Sequence, residues 1–337
     1  MQRTRLLPVS LLIAIVLTLS ACAGVGRMMG KQPRRLLWVE CQNRNHTLDT
    51  PEKIDRLIAD AKDWRVDGLL VQVYRSGYAW YDSNVTDRAP TLAQGYDPLA
   101  YVIERASAEG IEVHAWINVF YLAGNAQARI VRELGQDVII RDNFGRPVTA
   151  YEDSRPPAVL DEGGKPLPVT EGGEVLIGTS GVWLDPGVPE VRTFQLQIVD
   201  ELALGYPGLS GIHLDFIRYP YTVPVRPVSR LGVGVDFGYA PGALAAFEEQ
   251  TGGSAPLANQ NLRDASRWDQ WRREQVSDFV SRARKLTRAK KLALSVAALA
   301  WADRAYLSAF QDWRGWLERD QIDAAVLMNY STDDALA

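Results

Sequence analysis

The sequence predicts an α/β fold, a (β/α)8 barrel of the TIM type, from two features of its 337 residues. Short apolar segments alternate with amphipathic segments of helical period, which is typical of a parallel sheet with helical crossovers. The main alternative is a doubly wound sheet, which normally carries a Gly-x-Gly-x-x-Gly phosphate turn after its first strand. No such turn follows the first apolar segment of this chain, so the barrel is favoured.

Seven apolar segments are predicted as strands. They are rich in Val, Leu, Ile and aromatic residues, and Gly, Pro or polar residues bound them. The predicted strands cover residues 36–40, 68–74, 111–120, 182–187 (with a turn), 211–216, 291–298 and 324–330. Because a (β/α)8 barrel has eight strands, we expect a barrel that is truncated after its seventh strand. The alternative is an unusual closure of the ring by the N-terminal segment.

The helices between these strands are predicted from their ends. Thr50 is a good N-cap with Pro51 at the first helical position, Asp97-Pro98 opens the next helix, and Gly110 suits its C-terminal end. The predicted helices cover residues 51–64, 97–110, 189–204, 241–250, 268–289 and 306–319.

One segment interrupts this alternation. Residues 135–180 are rich in Gly, Pro and charged residues and are too long for a simple connection. Long insertions in compact domains are often functional. We therefore expect a surface excursion or β-hairpin near a site.

The N-terminus has the features of an export signal. Arg3 and Arg5 precede an apolar run, residues 6–19, that is too short to span a bilayer comfortably. The run ends in Leu-Ser-Ala-Cys22, which resembles the lipobox of bacterial lipoproteins. The alternative is an ordinary signal peptide with an incidental cysteine.

The lipobox divides the chain into three parts. Residues 1–21 are predicted to be a lipoprotein signal peptide, 22–34 a lipid anchor and linker, and 35–337 the barrel. Ala23 after the lipidated Cys22 favours the outer membrane, facing the periplasm. We therefore expect the protein to be bound to a membrane of the bacterial cell envelope through an N-terminal lipid.

Composition excludes several classes of function. The chain has 41 acidic against 37 basic residues and no long basic run, which argues against nucleic acid as a partner. Cys41, the other cysteine, is expected to be a small buried residue and not a nucleophile. The three histidines lack the short spacing of a metal site, and no Gly-x-Ser-x-Gly elbow is present. No metal or cofactor is therefore expected.

Residues 211–220, Gly-Ile-His-Leu-Asp-Phe-Ile-Arg-Tyr-Pro, form the most informative segment. Asp215 lies near the end of an apolar strand, where burial of a carboxylate is costly unless it is paired or functional. One interpretation is a structural ion pair with Arg218. The other is an active-site carboxylate, which Arg218 and Tyr219 would keep ionised by charge and hydrogen bonding.

Polar or aromatic residues follow nearly every predicted strand, and this pattern favours the active-site interpretation. In a barrel the C-terminal ends of the strands converge on one site. The residues at these ends are Glu40, Tyr74, Arg75, Asn118, Asp185, Asp215, Arg218, Trp301, Asp303, Asn329 and Tyr330.

Carboxylates among aromatic residues favour glycoside hydrolysis, in which one carboxyl is the acid and another the nucleophile or base. Asp215 is the first candidate, as nucleophile or base. Glu40 leads as the second carboxylate because an apolar strand precedes it, and Asp303 and Asp185 are further candidates. For Glu40 a salt bridge to Arg35 or Arg75 is an equally good interpretation. Stacking from Trp116, Trp301 and Tyr330 would hold a sugar.

Five motifs resemble the glycosyl hydrolase-like 10 family of bacterial envelope proteins. In chain order they are Arg-Leu-Leu-Trp-Val at 35–39, His-Ala-Trp-Ile-Asn at 114–118, Trp-Leu-Asp-Pro-Gly at 183–187, His-Leu-Asp-Phe-Ile-Arg-Tyr-Pro at 213–220 and Met-Asn-Tyr at 328–330. The resemblance covers residues 34–330 and implies a (β/α)8 barrel that hydrolyses glycosidic bonds. Some members act on peptidoglycan glycan strands stripped of their stem peptides.

The resemblance also implies a set of site residues. By position it makes Asp215 the catalytic candidate, with the cleft lined by Asn118, His213, Arg218, Asn329 and Tyr330. The chain departs from the family in two places: the terminal barrel unit is absent, and Asp185 stands where relatives often have Asn. The expected function is therefore that of a lipid-anchored glycoside hydrolase acting on an envelope or extracellular glycan. The alternative is a non-catalytic glycan-binding lipoprotein on the same barrel.

Overall fold

The structure, a computed structural model, describes residues 34–152, 155, 175–224, 235–256 and 262–330. The predicted signal peptide, the predicted lipidation site Cys22 and residues 153–154 and 156–174 of the excursion lie outside these ranges. In the part of the chain that is described, no helix is both long and apolar enough to cross a lipid bilayer.

Within the described ranges the chain forms a mixed α/β unit from Leu36 onward. Its strands are β1 (Leu36–Val39), β2 (Gly68–Arg75), β3 (Tyr78–Ala79), β4 (Asp87–Arg88), β5 (Glu112–Asn118), β6 (Val175–Ile177), β7 (Gly211–Asp215), β8 (Thr222–Pro224), β9 (Ala293–Leu299) and β10 (Ala324–Met328). Its helices are α1 (Pro51–Asp63), α2 (Pro98–Ala108), α3 (Arg129–Leu134), α4 (Pro189–Gly205), α5 (Pro241–Thr251), α6 (Leu262–Ala289), α7 (Ala302–Ser308) and α8 (Trp313–Glu318).

The predicted barrel-type architecture is confirmed. The long strands pair in parallel in the order β1-β2-β5-β7-β9-β10, and helices connect most of them. The strands advance along the sheet in chain order, as in a barrel. The ring is not closed: among the described residues β1 and β10 each pair on one side only.

The prediction of seven parallel strands is wrong, because residues 182–187 do not join the sheet. The parallel part contains six strands in the described chain. Trp183 and Leu184 instead form isolated antiparallel bridges with Tyr121 and Ile139. This segment therefore crosses the ends of the strands, and the turn at Pro186 leads directly into α4.

The predicted helix at 306–319 is two helices in the structure. Phe310 adopts a positive φ of 53° between α7 and α8, a backbone conformation that a helix cannot contain. Asp312 then caps α8 by accepting a hydrogen bond from the Gly315 amide at 3.1 Å. The other predicted helices agree with the structure to within a few residues, apart from an earlier start of α6.

The strand register brings the interior side chains into layers. Gln72, Trp116, His213 and Ser295 are register partners across β2, β5, β7 and β9. Because alternate residues of a strand face the same side, the next interior layer toward the C-terminal ends pairs Asn118 with Asp215. The register therefore places Asp215 beside Asn118, above a filled barrel interior.

Gly211 makes room for a bulky interior side chain. A Cβ atom at Gly211 would lie 2.4 Å from Nδ1 of His114 and 2.7 Å from the carbonyl oxygen of Ala293. Either distance is a severe overlap. The glycine at the start of the most informative segment is thus required by packing.

The excursion and the segment after β7 meet beside the strand ends. β6 pairs antiparallel with β8 in a two-stranded sheet, with Ile177 opposite Thr222. Gly178 packs against the ring of Tyr221, where a Cβ atom would lie 2.6 Å from the ring. The described C-terminal part of the excursion therefore contains a strand, which pairs with the segment after β7 and not with another strand of the excursion.

A fully buried arginine, Arg272 of α6, connects this helix to the loop at residues 236–237 and to Phe310, which lies between α7 and α8. Its guanidinium donates hydrogen bonds of 2.6 Å to Asp236 and Asp269 and one to the carbonyl oxygen of Phe237. It also lies 4.0 Å from the centre of the Phe310 ring. These contacts satisfy a buried cation by charge, hydrogen bonding and cation–π attraction together.

Candidate active site

A cleft of about 970 Å³ opens at the C-terminal ends of the parallel strands. All six strands or the residues directly after them contribute to its walls, as expected for a barrel. The lining residues are Trp38, Glu40, Gln72, Arg75, Trp116, Asn118, Tyr121, Gly178, Thr179, Asp215, Phe216, Arg218, Tyr221, Leu299, Ala300, Trp301, Arg304, Met328, Asn329 and Tyr330.

Asp215 lies at the floor of this cleft and is 6% exposed. Burial raises the pKa of its carboxyl, while the Arg218 charge, the Phe216 amide and the Trp116 side chain act in the opposite direction. Oδ1 accepts a hydrogen bond of 2.6 Å from the Phe216 amide. The net direction is upward, because burial disfavours the ionised carboxyl more than the Arg218 charge and the hydrogen bonds favour it.

Tyr219, which the sequence predicted to tune Asp215, faces away from the cleft. Its ring lies edge-on to Phe310 at 5.4 Å, and its amide donates to the carbonyl oxygen of Ala309 at 2.9 Å. The prediction that Tyr219 keeps Asp215 ionised is wrong. After β7 the chain leaves the extended conformation at Phe216, and Arg218 lines the cleft while Tyr219 is buried outside it.

Arg218 is the cation closest to Asp215 in the cleft. It is 4% exposed, and its Nη1 lies 3.8 Å from Oδ1 of Asp215. The guanidinium packs over the Phe216 ring at 4.5 Å. Burial lowers the pKa of Arg218 and the neighbouring Asp215 raises it. The predicted ion pair is therefore present, and it lines the cleft at the same time.

Phe216 connects Asp215 to Arg218 through a strained backbone. Its φ is +51°, a left-handed conformation that a bulky residue rarely adopts. The ring is stacked on Tyr121, with centroids 4.3 Å apart and planes 20° apart. This packing offsets the backbone cost. Strained residues of this kind concentrate at functional sites.

Glu40 lies at the cleft rim, and its carboxylate is 55% exposed. Its Oε2 is 3.8 Å from Nη1 of Arg75, so the salt bridge that the sequence left open is formed. Glu40 and Asp215 are the two acidic residues that line the cleft among the described residues. The structure therefore brings together the first two catalytic candidates.

Gln72 is a cleft residue that sequence reasoning missed. Its Oε1 accepts from the Cys41 thiol at 3.2 Å and from Arg75 at 3.3 Å, and its Nε2 donates to Oδ1 of Asn118 at 3.3 Å. Burial raises the pKa of Cys41 to about 12, which keeps the thiol protonated as a donor. Gln72 thus orients Asn118 and Arg75 together. The one indication of Gln72 in the sequence is that a single amide side chain interrupts the apolar run of β2.

The aromatic residues of the cleft lie at two depths. Trp116 is buried and meets Trp38 edge-on at 4.6 Å, so both form part of the floor. Trp301 and Tyr330 lie at the rim and are 68% and 87% exposed. Exposed rings at a cleft rim are suited to stacking on the apolar faces of sugars. Trp38 was not among the residues selected from the sequence.

Three residues predicted to line the site are buried outside the cleft. Tyr74 points toward α4, because a β-bulge between Gln72 and Tyr74 shifts its register, and its hydroxyl accepts from Gln195 at 3.4 Å. Asp185 is fully buried and accepts from the amides of Gly187 at 2.8 Å and Ala240 at 3.1 Å. Burial raises the pKa of Asp185 to about 6.

The third of these residues is His213, which lies beneath the cleft floor. Its Nδ1 is 2.8 Å from the Ser295 hydroxyl, and its ring is edge-on to Trp38 at 4.7 Å. Burial is the main cause that lowers the pKa of His213 to about 3. His213 therefore packs as a neutral side chain in the barrel interior.

This environment predicts an effect of acid on stability. Between pH 6.5 and 3 the unfolded chain binds a proton at His213 that the folded chain does not, so stability is lost as the pH falls. The contribution of this residue is about 1.4 kcal/mol per pH unit in that range. We expect His213→Gln to flatten the pH dependence of the free energy of unfolding, measured in urea from pH 6 to 4. The exposed His46→Gln is the control, and an unchanged slope in His213→Gln would contradict this assignment.

Asp303 is the predicted catalytic residue that the structure places elsewhere. It is exposed in the first turn of α7 and lines a separate surface depression with Tyr306 and Arg314. Because it is outside the cleft, we expect Asp303→Asn to keep the rate of glycan hydrolysis within about twofold, an energetic change of less than 0.5 kcal/mol. A loss comparable to that of Asp215→Asn would contradict this placement. Steady-state product release is the measurement.

No metal-binding group is evident in the described ranges. No set of three or more His, Cys, Asp or Glu side chains there is arranged to hold a metal ion.

Known proteins match both the sequence and the fold. The family described as glycosyl hydrolase-like 10 matches residues 33–143 and 167–336. Glycosyl hydrolase DigH of Escherichia coli strain K12 is 25% identical over 282 residues, which is 77% of this chain and 53% of DigH. Glycosyl hydrolase YngK of Bacillus subtilis strain 168 is 24% identical over 243 residues, 70% of this chain and 37% of YngK. The chain thus spans about half the length of DigH and 37% of the length of YngK.

A solved structure gives a likeness of fold. The glycoside hydrolase domain of PgaB from Bordetella bronchiseptica superimposes with a TM-score of 0.52 and 13% sequence identity. The match covers 88% of this chain and 74% of that domain chain. This likeness is one of fold and agrees with the barrel-type arrangement of the parallel strands.

Proposed function

The chain belongs to the glycosyl hydrolase-like 10 family, and on this basis we propose that it is a glycoside hydrolase of the bacterial cell envelope. The observation that carries the proposal is Asp215, a buried carboxyl at the floor of a large cleft with an arginine beside it. Glycan strands of peptidoglycan are the proposed substrate. Family membership and the exposed aromatic rim support a glycan ligand.

The two cleft carboxyls suit different roles. Glycoside hydrolysis needs a proton donor for the leaving oxygen and an ionised group that acts as nucleophile or base. Burial raises the pKa of Asp215, which suits the donor. Glu40 is half exposed at the cleft rim and lies 3.8 Å from the Arg75 guanidinium, a position that suits the nucleophile or base. We therefore assign Asp215 as the acid and Glu40 as its partner, the reverse of the roles expected from the sequence.

Other side chains of the cleft would assist these two groups. Asn118, held by Gln72, lies beside Asp215 in the register and can hydrogen-bond to the sugar. Trp301, Asn329 and Tyr330 line the rim where the bound glycan would enter. Proton transfer of this kind contributes about 10²–10⁴-fold to a rate.

The location follows from the N-terminal sequence. We propose that Cys22 carries lipid and that the barrel is held at the outer membrane, facing the periplasm. Mass spectrometry of the membrane fraction tests this: a lipidated N-terminal Cys22 supports it, and recovery of a soluble chain cut at another residue contradicts it.

The test of the activity is product release from a panel of glycans. Purified full-chain protein is incubated with intact peptidoglycan, peptide-free glycan strands and α-glucans, and products are separated by chromatography with mass detection. Release of reducing ends from at least one glycan supports the hydrolase. Binding of a glycan without any cleavage would contradict it and favour a non-catalytic glycan-binding lipoprotein.

A further inference from the structure

The charges that line the cleft are not balanced. Among the described lining residues there are three guanidinium groups, Arg75, Arg218 and Arg304, and two carboxyl groups, Glu40 and Asp215. Glu40 is engaged by Arg75. That leaves one carboxyl, Asp215, against two guanidinium groups, Arg218 and Arg304, among the described lining residues. The cleft is therefore cationic in the region of Arg218 and Arg304.

Arg218 has hydrogen-bonding capacity that the described chain does not use. Its Nε and Nη1 are buried and have no hydrogen-bond partner there. The nearest acceptor, Oδ1 of Asp215, is 3.8 Å from Nη1 and already accepts from the Phe216 amide at 2.6 Å. Buried N–H groups of a charged side chain are costly when they stay unpaired. A ligand oxygen that accepts from this guanidinium would remove that cost.

A second guanidinium lies at the rim on the same side. Arg304 is 5.4 Å from the centre of the Trp301 ring and 5.9 Å from that of Tyr221. Tyr221 also interacts electrostatically with Arg218. The tyrosine is therefore a neighbour of both the buried arginine and the rim arginine. Arg304 forms no ion pair with a carboxylate among the described residues.

We infer that Arg218 and Arg304 form a subsite for a carboxylate carried by a sugar of the substrate. A guanidinium presents several N–H donors in a fixed plane, which matches the two oxygens of a carboxylate. Trp301 next to Arg304 would stack on the same sugar. This inference rests on the proposed function and narrows it: the enzyme would select acidic glycans over neutral or amino-substituted ones.

The test compares one glycan in two forms. Peptide-free peptidoglycan strands, which retain sugar carboxylates, are compared with the same strands after chemical reduction of the carboxyl groups to alcohols. We expect kcat/KM to fall by about 10–100-fold on reduction, the value of a charge-assisted hydrogen bond. Dissociation constants for soluble oligosaccharides of both forms are measured by calorimetry, so that binding is tested independently of cleavage.

Variants identify the residues responsible. Arg304→Gln is expected to weaken kcat/KM for the carboxylate form by about 10-fold, mainly through KM, and to change the reduced form by less than about twofold. Arg218→Lys keeps the charge but loses the planar donors. The ratio of kcat/KM for the carboxylate form to kcat/KM for the reduced form is therefore expected to fall. An effect of this variant on Asp215 would change both values alike and leave the ratio unchanged. Arg314→Gln, at an exposed arginine outside the cleft, is the matched control.

The outcomes separate this inference from the proposed function. If both forms are cleaved and bound equally well, the subsite is wrong and the hydrolase stands. If neither is cleaved but the carboxylate form binds more tightly and Arg304→Gln removes the difference, the subsite stands and the hydrolase fails on this substrate. If neither form binds, the result contradicts the subsite.

Discussion

Replacing Asp215 by Asn is expected to reduce the rate of glycan hydrolysis by about 10³-fold, the typical value of a general acid. The amide is close in size to the carboxyl and can keep an oxygen acceptor for the Phe216 amide, which now donates at 2.6 Å. The fold should therefore survive. The initial rate of reducing-end release, with circular dichroism to check folding, gives the result.

The leaving group of the substrate distinguishes the roles of Asp215. A proton donor is needed for a sugar alcohol to depart, whereas a dinitrophenolate departs without protonation. If Asp215 is the acid, Asp215→Asn should retain far more activity on a dinitrophenyl glycoside than on the natural glycan. An equal loss on both substrates would contradict the acid assignment and favour a nucleophile. Asp63→Asn, at an exposed carboxylate at the end of α1, is the control and should match the wild type.

Replacing Arg272 by Met is expected to lower the free energy of unfolding by about 2–3 kcal/mol, since a fully buried guanidinium loses its charge-assisted hydrogen bonds to Asp236 and Asp269, whose carboxylates are 44% and 41% exposed. Arg272 is fully buried, holds Asp236, Asp269 and the Phe237 carbonyl, and packs on Phe310. Methionine fills part of the volume but makes none of the hydrogen bonds. Urea denaturation followed by tryptophan fluorescence measures the change.

A second arginine on the same helix is the matched control. Arg282 is 43% exposed and lies 3.6 Å from Asp278, so Arg282→Met should cost less than about 1 kcal/mol. Arg272→Lys keeps the charge without the planar donors, so its loss of free energy of unfolding should lie between those of Arg272→Met and Arg282→Met. Similar stability of Arg272→Met and Arg282→Met would show that the buried network contributes little.

Apolar segments predicted the parallel strands and capping residues predicted the helix ends, because both are local properties of the sequence. The strand at 211–216 and the helix that begins at Pro51 agree with the structure. The segment 182–187 looks like a strand for the same local reasons, but it pairs with Tyr121 and Ile139 through isolated bridges. Such pairing depends on distant residues, which a single sequence does not reveal.

The sequence predicted those residues of the candidate site that directly follow parallel strands, because the C-terminal ends of such strands converge in a barrel. Asp215, Arg218 and Glu40 lie in one cleft as expected. Tyr74 does not, because a bulge in β2 reverses its direction, and a bulge has no clear sequence signal. His213 was expected in the site from the family resemblance, and Asp185 because it follows a predicted strand. Buried hydrogen bonds to Ser295, Gly187 and Ala240 explain them instead.

The left-handed backbone of Phe216 implies a compromise between stability and activity. A non-glycine residue at a φ of +51° costs about 1 kcal/mol relative to an ordinary conformation. A glycine there would relieve this cost but remove the ring that packs on Tyr121 and under Arg218. Mutational searches for thermostability would therefore tend to select glycine at 216 and loosen the turn between Asp215 and Arg218. If the proposed hydrolase is correct, such variants should gain stability and lose activity together.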